Sequence, residues 1–310
     1  MPLLERRRRV EWLRLACYGG GAVAALFFAV LAGLLVVQSL PAWRSEGVLG
    51  LLLGRRWFPR GGDFGALPML YGTAAVSFVA LAVAAPLGLG AAIFTAEVLP
   101  PRMRLAVKGT VELLAGVPSV VYGLLGVLLL RDWVYRLLAP FEPLSGDTLL
   151  TAGLLLGVMI LPTVTTFSED ALQGVAGAQR RAARGLGLTR ARTLFAVVLP
   201  RALPGVAAAL LLALGRALGE TIAVFLVVGR LDNRLPEAPL SPEALAGAGQ
   251  TLTSKLAGSE TFIAYGDPEH WGAIVALALV LVAAVLTLTL ASARVLGRNG
   301  ADGGGDAPRR

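Results

Sequence analysis

The sequence predicts an all-α protein that crosses a membrane six times with both ends in the cytoplasm. Three observations carry this expectation. Hydrophobic residues make up 56% of the 310 positions and charged ones only 15%, with a mean hydropathy of +0.72, a balance no ordinary soluble domain has. Six apolar runs come near or exceed the roughly 20 residues that a bilayer requires. Lysine and arginine alternate between the segments joining those runs, 18 falling on one side and nine on the other.

The basic block at residues 1–14 precedes an apolar run from Leu15 to Leu40. That run is too long for a signal peptide core and lacks a small-residue cleavage site, so it reads as a retained first span. An external loop of residues 41–69 follows, then a core of residues 70–297. Its five spans are Leu70–Val98, Val111–Leu130, Thr148–Phe167, Leu203–Gly229 and Gly272–Val295. Residues 168–202 form a cytoplasmic loop, and residues 230–271 a second external loop in which Ser241, Pro242 and Glu243 read as a helix start. The glycine-rich tail 298–310 reads as disordered.

The external loops also carry 11 acids against six on the cytoplasmic side, which strengthens the orientation. The five tryptophans, at 12, 43, 57, 133 and 271, fall outside the spans, as an interfacial belt places them. Pro86, Pro118 and Pro162 each lie inside an apolar run. Such a proline either kinks a helix or breaks it where neighbours or a water-lined path satisfy the freed carbonyls.

The fifth span holds Arg216 and Glu220. A charge at mid-bilayer costs about 3 kcal/mol on insertion scales. Four residues apart on a helix, the two share one face and partly neutralise each other, and Gly215 and Gly219 beside them allow a neighbouring backbone to approach and bury both. Arginine before glutamate is the weaker order for a purely stabilising pair, which points to a substrate pathway. Glu97 and Glu112, near span ends, read as interfacial.

Several chemistries are excluded. The two lysines, Lys108 and Lys255, follow Val107 and Ser254, so neither ends a Walker A loop, and the chain has no ATPase site of its own. A single cysteine, Cys17, and a single histidine, His270, assemble neither a disulfide nor a Cys/His metal site. The positive charge is a topology signal, and nucleic acid is not an expected partner.

Residues 168–202 read as two short helices, with Gly187 in the turn and the second helix starting near Thr189. A basic hairpin of this kind suits either an anionic lipid surface or a protein partner. Its pattern resembles the loop of permease subunits in binding-protein-dependent ABC importers: Glu-Ala-Ala, three residues, Gly, nine residues, Ile, one residue, Leu-Pro. Arg181, Ala182, Ala183, Gly187, Val197, Leu199 and Pro200 fall at that spacing, with arginine in place of the glutamate. Further stretches, FGALPMLYGT, PLGLGAAIF, ELLAGVPSVVYGLLG, MILPTVTT and GRALGETIAV, are similar to the phosphate-specific permeases, and their order to the PstC-type subunit.

The resemblance implies a type I ABC importer permease fold and an ATPase-coupling role for the hairpin. It implies a PstA-type permease partner, two cytoplasmic ATPase subunits that bind ATP and Mg, and an external phosphate-binding protein, with no cofactor bound to this chain. It implies phosphate as the substrate passing Arg216 and Glu220. Sulfate or molybdate, and a secondary anion transporter, are the alternatives.

Overall fold

The computed structural model describes the backbone of residues 2–302 except 240, and the side chains of residues 14–297 except 101 and 240. Helix α1 (Pro2–Ser45) carries an apolar length with no buried stretch, and it meets the body near its end, where Gly272 lies against Gln38, Pro41 and Ala42. Next come α2 (Gly47–Leu53) and a small hairpin, β1 (Trp57–Phe58) and β2 (Asp63–Phe64), paired Trp57 to Phe64.

Helix α3 (Leu67–Ile93) continues through a π-helical turn (Phe94–Val98) as one 32-residue helix. Beyond it lie α4 (Pro101–Ala115), α5 (Ser119–Leu125), a second π-helical turn (Gly126–Leu130) and α6 (Arg131–Leu137). Helix α7 (Leu149–Gln173) begins at Thr148, whose hydroxyl accepts from the Thr151 amide. The hairpin follows as α8 (Gly177–Gly185) and α9 (Arg190–Thr193), and a third π-helical turn (Leu194–Val198) leads into α10 (Leu199–Gly219). After α11 (Ile222–Val227) come three short helices, α12 (Pro242–Ala246), α13 (Leu252–Leu256) and α14 (Glu260–Ile263), and finally α15 (Pro268–Asp302).

Among the described residues, five helices are long and apolar enough to cross a membrane, or six if the bent pair of α4 and the continuous stretch Ser119–Leu137, α5 through α6, counts as one span. That pair corrects the third expected span. Val111–Leu130 is not continuous: the chain bends by 84° between Ala115 and Ser119. Pro118 lacks an amide donor and pushes Val117 out of the helical region, and Gly116 before it offers no resistance. Pro86 and Pro162, by contrast, lie inside unbroken helices. Both belong to the α3–α7 pair, the most extensive helix contact in the bundle, whose packing holds the backbone helical across the missing hydrogen bonds.

The fifth expected span, Leu203–Gly229, also divides. Its helix ends at Gly219, Glu220 is extended, and α11 starts two residues later. Ser168, expected in the cytoplasmic loop, is buried inside α7. Ser241 caps α12 as expected, accepting from the Ala244 amide. Trp57, expected in an interfacial belt, is a core residue 3% exposed, packed edge-on against Phe64. Helix α15 extends through 298–302, the start of the stretch read as disordered, while 303–310 lie outside the described residues.

Glycines set the α3–α7 distance. A Cβ on Gly153 would stand 2.5 Å from the Val79 Cβ, and one on Gly88 would stand 2.7 Å from a Val164 methyl. Val is stiff at χ1 and has little room to yield. Gly153→Ala is therefore expected to destabilise the chain by about 1–3 kcal/mol, read as an earlier thermal transition in detergent. Gly90→Ala, where a Cβ meets nothing within 4 Å, is expected to leave that transition unchanged.

Candidate functional site

Arg216 lies in the last turn of α10, about 24 Å along the helix from Pro200 at 1.5 Å per residue. Its side chain is exposed, and one Nη donates to the Thr163 hydroxyl at 3.2 Å. Thr163 follows Pro162 on α7, so the most closely packed pair in the bundle positions the one protein contact of this guanidinium seen among the described residues. Sequence reasoning quoted Thr163 within a motif but did not assign it to the site. The available signal was a hydroxyl directly after a proline in an apolar run.

The shared helical face of Arg216 and Glu220 is not present. Glu220 is the residue that leaves the helix, with ψ of 122°, and among the described residues no ion pair within 4.0 Å includes either group. Nor are the two buried as expected: Arg216 is exposed and Glu220 half-buried, although Gly215 beside them is buried. Among the described residues the guanidinium bonds only Thr163, which leaves most of its five donors to an incoming ligand or a second subunit, and the half-buried carboxylate stands at the break. A guanidinium so presented can offer an oxyanion a planar fork of donors.

The hairpin takes the expected form. Gly187 is left-handed at φ 83°, and the amides of Gly187 and Leu188 donate to the carbonyls of Arg184 and Ala183, closing α8. The Thr189 hydroxyl caps α9. Ala183 is buried, whereas Arg181 and Ala182 are exposed, as are Leu186 and Phe195. Val197 and Leu199 are half-buried beside Val198, and Pro200 occupies the first turn of α10, joining hairpin to site without a linker.

A layer of charge holds this end of the bundle together. Arg180 pairs with Glu97, so Glu97 is tied to the hairpin and not merely interfacial, and its other Nη donates to the Leu172 carbonyl at 2.6 Å. Arg104 donates to the carbonyls of Thr95 and Ala96, and its Nε lies 4.0 Å from Glu169, which is 2% exposed and also accepts from Gln173. Lys108 bonds Asp170 at 2.8 Å.

A second polar cluster lies at the opposite end, in the loops expected outside. Lys255 is 2% exposed and pairs with Glu260 and with Asp232, the latter at 2.9 Å. Glu260 also accepts from Trp57 Nε1 and faces His270 Nε2 at 2.9 Å. Asn233 receives the Trp57 amide and donates to its carbonyl. Residues from the 41–69 and 230–271 segments are thus joined into one platform, which sequence spacing did not reveal because bonded partners lie up to 203 residues apart. Burial pushes the Glu260 carboxyl up, but bonds from Lys255, Trp57 and His270 and the Lys255 charge outweigh it and hold the group below its ordinary value.

Residues 84–299 match the profile of the binding-protein-dependent transport system inner membrane component family. The chain is 33% identical over 293 residues to a phosphate transport system permease protein PstC of Mesorhizobium japonicum, covering 89% of this chain and 86% of that protein. It is 33% identical to the probable ABC transporter permease protein YqgH of Bacillus subtilis, covering 83% and 82%. Its fold resembles a subunit of a bacterial alginate ABC transporter solved with a pentasaccharide-bound periplasmic protein, with a TM-score of 0.58 over 92% of this chain and 93% of that one at 14% identity.

Because the folded Glu260 pKa is depressed, its contribution to stability is present above the unfolded carboxylate value and lost as pH falls through the folded one. Glu260→Gln is therefore expected to make the 230–271 loop more sensitive to protease at neutral pH. The gap from the parent chain is expected to narrow below about pH 4, as the parent carboxylate itself protonates.

Proposed function

The chain belongs to the family of binding-protein-dependent transport system inner membrane components, and from that membership we propose that it is the membrane permease subunit through which an ATP-driven importer passes inorganic phosphate. The observation that carries the reading is Arg216, an exposed guanidinium whose one protein contact among the described residues is the Thr163 hydroxyl. Likeness to PstC permeases supports phosphate as the cargo.

The chemistry suits that cargo. A guanidinium stays charged in any polarity and presents paired donors to phosphate oxygens. The Glu220 carboxylate, off the helix and outside any ion pair seen among the described residues, accepts a hydrogen bond from a protonated phosphate, which fully ionised sulfate has no proton to supply. Selectivity among oxyanions is shared with an external binding protein that docks on the loop platform.

The partners follow from the same reading. A PstA-type permease covers the open face of α10, and two cytoplasmic subunits bind ATP and Mg and receive the hairpin through Arg181, Ala182, Ala183 and the exposed Leu186 and Phe195. ATP-driven closure of those subunits shifts the hairpin, and because Pro200 opens α10 directly, the shift reaches Arg216 along a stiff helix. Both chain ends lie in the cytoplasm in this arrangement.

Arg216→Ala is expected to lower phosphate uptake into vesicles by more than about tenfold while the complex still assembles, and Arg216→Lys to recover only part, since an ammonium lacks the fork. Glu220→Gln is expected to slow phosphate more weakly. Uptake at the parent rate by Arg216→Ala, or purification in mild detergent without an ATP-hydrolysing companion, would overturn the proposal.

A further inference from the structure

We infer that the Glu97–Arg180 pair is a positioning contact that makes the hairpin part of the α3–α7 body, so that hairpin movement reaches the outer platform along α3 as well as Arg216 along α10. The inference rests on the permease reading above. It concerns a route that the pathway residues do not use.

The helix that begins at Leu67 runs unbroken to Val98, and Thr73 and Glu97 stand near its two ends, about 36 Å apart at 1.5 Å per residue. At the outer end the Thr73 hydroxyl accepts the buried Leu252 amide at 2.9 Å, Tyr71 donates to the Pro239 carbonyl, and Gly72 lies directly against the Gln250 carbonyl. Leu252 opens α13, which carries Lys255, the centre of the platform. At the inner end, Glu97 holds Arg180, whose second Nη is on Leu172 of α7. One side chain of α8 therefore grips both long helices at once.

Between its ends the body is stiff. Gly88 against Val164, Gly153 against Val79 and Gly157 against Ala80 bring the α3 and α7 backbones close along their length, which leaves little sliding freedom. While α9 runs on helically into α10, α8 without that pair would be held by the turns at 174–176 and 186–189 and by the packing of Ala183. With Arg180 bonded to Glu97 and Leu172 it moves as part of the body, and displacement at α8 becomes displacement at Thr73. The same linkage runs backwards: a protein seated on the platform loads Leu252, then Thr73, then Glu97, and biases the hairpin.

The test uses the assembled complex in lipid nanodiscs with phosphate-loaded binding protein, comparing ATP hydrolysis with and without that protein. Glu97→Gln keeps shape but removes charge, and Thr73→Val keeps shape but removes the acceptor at the far end. Both are expected to leave basal hydrolysis unchanged and to lower its stimulation by more than about fivefold, the lower end of ordinary coupling energies. Glu97→Asp is expected to retain at least half of the stimulation.

Stimulation within about twofold of the parent in Glu97→Gln overturns the inference, as does loss there with none in Thr73→Val, which confines the pair to the hairpin. Failure of Glu97→Gln to assemble with the ATPase also overturns it, because the pair would then be a folding element. A parent complex that shows no stimulated hydrolysis sinks the permease reading itself, an outcome distinct from parent stimulation with unaffected variants.

Discussion

A guanidinium within an apolar layer must be kept from lipid, and the described residues of this chain do so only in part. Arg216 is exposed, a Cβ on Gly219 nearby would meet nothing within 4 Å, and Thr163 gives the guanidinium its one bond among those residues. With a charge costing about 3 kcal/mol in hydrocarbon, that face is incomplete until another surface covers it. The break after Gly219 belongs to the same logic. Extended backbone at membrane depth persists only beside protein or water, and Glu220, half-buried and off the helix, needs one or the other.

The remaining charge is sorted to the two ends. One layer joins α3, α4, α7 and α8 through Arg180–Glu97, Arg104–Glu169 and Lys108–Asp170. At the other end Lys255 is the hub. Between them the bundle packs small residues, with glycines setting the α3–α7 distance. Polar contacts thus fix the ends, dispersion and shape fix the middle, and rigidity along α3 results from having both.

Four of the six spans, the hairpin with its Gly187 turn and Thr189 cap, and the Ser241 helix start were legible in the sequence because each depends on composition or neighbours close along the chain. Three prolines looked alike and behaved differently. Pro118 breaks the chain beside Gly116, whereas Pro86 and Pro162 are held helical by packing that only tertiary structure supplies. Arg216 was legible as a site because charge in an apolar run is conspicuous. Its relation to Glu220 was not, since helical spacing assumes a helix that ends one residue too early. Trp57, Glu97 and Lys255 were misplaced or unassigned for one reason: their partners lie at sequence separations of 203, 83 and 23 residues, where no periodicity reaches.

The arginine that replaces the signature glutamate is explained by the same geometry. Successive residues on α8 point about 100° apart at 3.6 residues per turn. Arg180 therefore turns inward to Glu97 and Leu172 while Arg181 stands exposed, although both carry the same group. The departure from the signature falls at the outward position. Ala183, the buried member of the motif, keeps its small side chain against the hairpin interior, and Gly187 keeps the left-handed turn that an L side chain resists. The fold of the hairpin thus rests on Ala183 and Gly187, and the arginine at the outward position leaves it undisturbed.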